Sequence, residues 1–181
     1  MSELIMIIRH GEKGMPEGGP MVGVDRSGHP DPDSLNVRGW ERAGALVGYF
    51  AWPHRDEIVT PRHLYAPQPT SEAPSKRPAQ TLQSLAARLG VALSTAYEQD
   101  DQASLWEELQ HVDGPVLVAW EHNAIVKLAN LVMGRDDQTP QQWPDHRFDV
   151  VWRFERRAGR WRFSQVPQCL LAGDSPIAIE E

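Results

Sequence analysis

"LIMIIRHGEK", residues 4–13, is an apolar run that stops abruptly at an arginine, a histidine, a glycine and two further charges. Five uninterrupted apolar residues, Leu4 to Ile8, form the pattern of a short strand covered on both faces. In an open sheet of parallel strands, ligands bind beyond the carboxyl ends of the strands. A buried strand at this point would set Arg9 and His10 side by side where a ligand sits.

The same design recurs downstream. "PVLVAWEH" (115–122) is a second apolar run, and it leads into "NAIVKLANLVMG" (123–134). There Ile125, Leu128, Ala129 and Val132 share one helical face, and Gly134 stops the helix. "RHLYAPQ" (62–68) and "VALSTAY" (91–97) read as two shorter strands. Ser34 or Asn36 can cap a helix that turns Trp40, Ala43, Val47 and Phe50 to one side. A second helix lies in "SKRPAQTLQSLAARLG" (75–90), with Pro78 in its first turn and Gly90 at its end. In that helix Leu82, Leu85, Ala86 and Leu89 face one way. "SLWEELQHV" (104–112) is a short third helix. Residues 14–34 and 66–75, rich in Gly, Pro and polar side chains, are loops.

Strands alternate with helices through residue 134. "VVWRFERRAGRWRFSQV" (150–166) then alternates apolar and polar residues on both sides of "RAGR", a hairpin with one core face and one wet face. The order predicts an α/β fold, a three-layer α/β/α sandwich around a mostly parallel sheet with a C-terminal β-hairpin. No repeat, low-complexity tract or linker interrupts the chain. Residues 1–181 are therefore expected to form a single domain.

Composition narrows the function classes. The chain has 181 residues, 40% of them hydrophobic and 24% charged, as in ordinary soluble proteins. No stretch reaches the ~18 apolar residues of a membrane span, and no secretory signal opens the sequence. Cys169 is the sole cysteine, which rules out an internal disulfide and fits a reducing cytoplasm. The formal net charge of -7 argues against nucleic acid as a partner. The one basic cluster, Arg153, Arg156, Arg157, Arg160 and Arg162, falls on the hairpin and reads as a solvated face. The histidines are scattered without metal-ligand spacing, so neither a metal nor a cofactor is expected.

Arg9 and His10 follow the first strand, Glu121, His122 and Asn123 follow the fourth, and Arg77 stands at a helix start. Helix N-termini offer free N–H groups and partial positive charge. Two arginines, two histidines and helix ends converging in an otherwise acidic protein imply a compact anion, with phosphate the best match.

"RHGEK" resembles the signature of the histidine phosphatase superfamily, the phosphoglycerate-mutase-like proteins. "LNVRGWERAGAL", "SKRPAQTLQSLAARLG" and "VLVAWEHNAI" are similar, in order, to that superfamily's first helix, its second-arginine segment and its second-histidine turn. The resemblance implies a metal-independent phosphomonoesterase acting on a small phosphorylated substrate. By this likeness His10 attacks phosphorus and becomes a phosphohistidine, while Arg9, Arg77 and His122 hold the equatorial oxygens. His10 must then be neutral at its attacking nitrogen, with a backbone carbonyl fixing its tautomer, and Gly11 gives the backbone room beneath the phosphate.

Two segments depart from the superfamily's pattern. The region that usually carries the proton donor reads "AYEQDDQASLWEEL", without the usual motif. Asp101 is the favoured acid, with Glu98 and Glu121 as the other candidates. A longer loop precedes Arg77, and Lys13 and Lys76 are candidate substrate contacts beside Gly11 and Asn123. The rival readings are phosphoglycerate-mutase-type transfer and a non-catalytic phosphate- or phosphoprotein-binding module on the same fold.

Overall fold

A computed structural model describes residues 3–14 and 21–180. Part of the expected 14–34 loop, residues 15–20, lies outside the described residues. The elements run β1 (Leu4–Arg9), α1 (Val37–Ala51), β2 (His63–Tyr65), α2 (Arg77–Leu89), β3 (Leu93–Ser94), α3 (Gln102–Leu109), β4 (Val116–Trp120), α4 (His122–Met133), β5 (Val150–Arg157) and β6 (Arg160–Pro167). They build one six-stranded sheet in the order β3-β2-β4-β1-β5-β6. The first four are mutually parallel, and β5 returns antiparallel along β1.

All six residues of β1 and all five of β4 are buried, because helices cover both faces of the sheet. Ile5, Ile7, Val116 and Val118 face one way and pack with Leu105 and Leu109 of α3 and Ile125 and Leu128 of α4. Met6, Ile8, Leu117 and Ala119 face the other way, against Leu46 and Phe50 of α1 and Leu82 and Leu85 of α2. The period of two along each central strand thus sorts side chains into two cores, giving the α/β/α sandwich.

Several boundaries differ from the sequence expectation. β2 stops at Tyr65, ahead of Pro67 and Pro69, which have no N–H to give a ladder. β3 keeps only Leu93 and Ser94, the two residues that find partners on β2. β4 ends at Trp120 rather than His122, because the Glu121 side chain accepts the N–H groups of Asn123 and Ala124 and starts α4 there. Asn36 caps α1 through the Gly39 N–H. The inner face of α1 is Gly39, Arg42, Ala43, Leu46 and Phe50, with Trp40 and Val47 only at its margin.

The hairpin turns through Ala158 and Gly159, both at positive φ (50° and 78°), the two-residue geometry that matches strand twist. Its alternation holds in β6 but fails at Val150–Trp152, all buried because β5 lies inside the sheet. Arg157, Arg160 and Arg162 are exposed, as fits a solvated face, whereas Arg153 is largely covered and shares the Glu155 carboxylate with Arg157 at 3.1 and 2.7 Å. Among the described residues no helix is long and apolar enough to cross a membrane.

Burial of Arg42 is the least expected feature. Its Nη2 donates to Glu12 Oε1 and to Asp174 Oδ1, each at 2.7 Å, and its Nη1 donates to Gln168 at 3.0 Å. Asp174 also accepts the N–H groups of Leu170 and Leu171, so the segment after β6 is folded onto α1 and the loop after β1. Burial alone would push the Asp174 carboxyl up, but Arg42 and these N–H groups outweigh it and hold it at about 2.

Arg42→Met should lower stability by about 3–5 kcal/mol, because it removes the buried cation between Glu12 and Asp174 and leaves them only the more exposed Arg38. A reduced urea midpoint at unchanged slope would show it. The depressed Asp174 group binds fewer protons folded than unfolded. Its contribution is therefore complete above the ordinary carboxylate range and is lost as pH falls through about 2.

Candidate active site

The parallel register of β1 on β4 pairs Arg9 with Trp120, and the His10 N–H donates to the Trp120 carbonyl at 3.1 Å. Residues 9–10 and 121–122 therefore leave the sheet as neighbours. Arg77 arrives from α2. The Gly11 N–H donates to Thr81 Oγ1 at 2.9 Å, and that hydroxyl donates to the Arg77 carbonyl at 2.7 Å. The first turn of α2 is thereby fastened to the chain just past His10.

Gly11 is required by close approach. A Cβ there would stand 2.9 Å from the Gly39 carbonyl oxygen, and one on Gly39 would stand 2.4 Å from that of Glu12. The crowding comes from the backbone of α1, so Gly11 supplies room for helix packing.

His10 is 2% exposed, and its Nδ1 lies 2.7 Å from the Gly11 carbonyl. Since a carbonyl only accepts, Nδ1 carries the proton and Nε2 the lone pair. Burial first, then Arg9 and Arg77, push the imidazole down to about 3, while the Gly11 carbonyl and Glu121 pull the other way. The ring is neutral across the physiological range.

The Arg9 guanidinium is fully buried. Its Nη1 donates to the carbonyls of Pro144, Asp145 and Arg147 at 3.2, 2.7 and 3.2 Å, and its carbon lies 3.9 Å from the centre of the Phe148 ring. Burial lowers it to about 10, with Asp145 and Glu121 resisting, so the charge remains. Arg77 Nη1 donates to the Pro32 carbonyl at 2.9 Å. Arg9 Nε, Arg9 Nη2 and Arg77 Nε are buried donors without an acceptor among the described residues.

His122 sits between two carboxylates. Its Nδ1 lies against Glu121 Oε1, and its Nε2 is 2.8 Å from Asp145 Oδ1. Each ring nitrogen thus faces a carboxylate oxygen. Burial would raise the Glu121 carboxyl, but His122 and the capped N–H groups of α4 outweigh it and hold it below the usual range.

The other sequence candidates fall outside this cluster. Glu98 is exposed, Asp101 occupies the N-cap position of α3, and no hydrogen bond or ion pair links either to Arg9, His10, Arg77 or His122. Their loop touches the site only through its backbone, where the Gln99 carbonyl accepts Trp120 Nε1 at 2.9 Å. The Lys76 ammonium is held by Asp31 at 2.8 Å. Asn123 Nδ2 turns toward Glu121, 3.4 Å away. Lys13 is exposed and helps line a cavity of about 680 Å³ with Glu12, Met21, Arg38, Asp145 and Phe148. A smaller cavity of about 380 Å³ lies beside His122 and Asn123, and Asp145 lines it too.

Sequence reasoning passed over "WPDHRFD" (143–149), which walls the site. The Trp143 indole N–H donates to the Arg147 carbonyl at 2.8 Å, and Arg147 pairs with Asp149 at 2.7 Å. The available signal was a dense group of titratable residues after a proline with no strand or helix period.

Comparison with solved structures places this architecture. A mycobacterial glucosyl-3-phosphoglycerate phosphatase superposes with a TM-score of 0.58 at 12% identity, covering 90% of this chain and 97% of that one. The protein histidine phosphatase SixA gives 0.54 at 13% identity, covering 92% and 97%. Bacillus stearothermophilus YhfR gives 0.58 at 11% identity, covering 97% and 98%. The chain has the histidine phosphatase fold. In sequence, no family model and no curated protein matches it. The histidine phosphatase fold thus carries here the Arg9–His10 pair at the end of its central strand and the Glu121–His122 pair at the end of the neighbouring one.

Because His10 stays neutral when folded and takes up a proton when unfolded, folding stability should fall with pH between about 6.5 and 3. The contribution approaches about 1.4 kcal/mol per pH unit in that window. Urea unfolding at several pH values should show a shallower fall for His10→Gln than for wild type.

Proposed function

We propose that the protein is a metal-independent phosphomonoesterase that cleaves a small phosphorylated substrate through a phosphohistidine on His10. One observation carries this reading. A buried neutral imidazole carries its lone pair on Nε2 within the electrostatic reach of Arg9 and Arg77, three of whose guanidinium nitrogens have no acceptor among the described residues. Buried donors left unpaired are costly, and a phosphate dianion supplies several oxygens to such donors at once. The arrangement on the histidine phosphatase fold supports the same reading, since SixA is described in complex with tungstate and the mycobacterial phosphatase with inorganic phosphate.

The chemistry follows from the geometry. Nε2 of His10 attacks phosphorus as the ester oxygen departs, and the Nδ1–H bond to the Gly11 carbonyl steadies the positive ring that results. Arg9, Arg77 and His122 offset the charge on the equatorial oxygens, which is most of what phosphoryl transfer asks of a protein. Water then attacks the phosphohistidine, releasing phosphate and restoring the imidazole. A site built only for binding has no use for a free lone pair in its centre.

Wild type should hydrolyse p-nitrophenyl phosphate in the presence of a chelator. His10→Ala should lose more than about 10,000-fold in kcat, since removing a nucleophile leaves only binding and electrostatics. Rapid acid-free quenching should trap phosphate on wild type and none on the variant. Turnover that survives the substitution would remove His10 from the reaction.

A further inference from the structure

An alkoxide leaving from phosphorus needs a proton, and the fold brings few carboxylates to the site that can give one. Glu98 and Asp101 have no link to the cluster. Glu121 is committed: its Oε2 accepts the N–H groups of Asn123 and Ala124 at 2.9 and 3.3 Å, and its Oε1 lies against His122. Asp145 is differently placed. Its carboxylate is 79% exposed at the mouth of the site, with Oδ1 2.8 Å from His122 Nε2. Its position is fixed from behind, because its own carbonyl takes the Arg9 Nη1 donor at 2.7 Å. It alone lines both cavities that flank the cluster, where the organic part of a substrate would lie.

We propose that Asp145 is the catalytic acid that protonates the leaving oxygen. The proposal rests on the phosphohistidine reading of His10. The transferable proton is one that solvent supplies to the exposed Asp145 carboxylate, while His122 keeps its Nε2 proton for the transferring oxygens. A phosphate dianion arriving beside the carboxylate favours its carboxyl form, so the substrate itself draws that proton onto Asp145. As the N–P bond forms at His10, the P–O ester bond breaks, its electron pair goes to the leaving oxygen, and that oxygen takes the proton from Asp145. The alcohol departs. In the second step Asp145 takes a proton from the water that attacks the phosphohistidine, and the cycle closes with no net change in the protein.

The test compares wild type with Asp145→Asn on two probes. The phenolate of p-nitrophenyl phosphate leaves without a proton, whereas the alkoxide of 2-phenylethyl phosphate does not. For Asp145→Asn, the ratio of kcat/KM on the alkyl ester to that on the aryl ester should fall about 100-fold or more. Equal losses on both esters would mean that Asp145 only positions His122, and would overturn the proposal. So would an alkyl-specific loss in Asp101→Asn or Glu98→Gln with Asp145→Asn unaffected. A wild-type protein that cleaves neither ester and traps no phosphate on His10 would bring down the phosphohistidine reading, and this proposal with it. The exchange of carboxylate for carboxamide at an exposed side chain preserves shape, and coincident thermal unfolding of variant and wild type checks that the fold is intact.

Discussion

A guanidinium removed from water and still charged is the constraint around which this molecule is arranged. Arg9 sits at the last rung of the central strand, fully buried. Isolated burial of such an ion costs several kcal/mol, so the surroundings must answer its charge and its donors. Three carbonyls from residues 144–147 take Nη1, the Phe148 ring covers the planar face, and Asp145 and Glu121 balance the charge. What they leave open is directional. Nε and Nη2 remain as donors, and they belong to the cluster that includes the His10 ring.

Such a cluster is useful only if it holds its shape before a ligand arrives. Preorganised donors cost no rearrangement at the moment of reaction, and much of their advantage lies there. Here the fastening is done by contacts within the protein itself. Thr81 ties the first turn of α2 to Gly11, the paired glycines 11 and 39 let α1 approach the loop after β1, and Glu12, Arg42 and Asp174 lock that loop to the end of the chain. The polar core beside the site thus serves rigidity, at a desolvation cost that a purely apolar core would avoid.

The parts legible in the sequence were those encoded by local pattern. An apolar run that ends in charge announces a strand delivering side chains to a sheet edge, and this sufficed for Arg9, His10 and the turn at Glu121–His122. Arg77 was legible because Pro78 and Gly90 bracket its helix. The misreadings share a cause. Nothing local marked Arg42 for burial, because its partner Asp174 lies 132 residues away. The 143–149 wall offered only its density of titratable residues as a signal, because it meets Arg9 through main-chain carbonyls, which every residue carries and no composition reveals. Asp101 and Glu98 drew attention by their place after the third strand, yet the loop turns its Gln99 carbonyl, and not their carboxylates, toward Trp120.

The carboxylates near the cradle also bear on how firmly it should hold an anion. The buried Arg9, the half-buried Arg77 and two imidazoles with no carboxylate nearby would bind phosphate tightly in every state, product included. Uniform binding of that kind slows turnover without lowering the barrier. Glu121 and Asp145 temper it by occupying both ends of His122, while they keep Arg9 charged against its burial. On the proposed phosphohistidine reading, an incoming phosphoryl group competes for His122 Nε2 with Asp145, and the competition eases as negative charge builds on the transferring oxygens. A site that gives up part of its grip on the ground state in this way keeps its strongest interactions for the moment when phosphorus lies between His10 and the leaving oxygen.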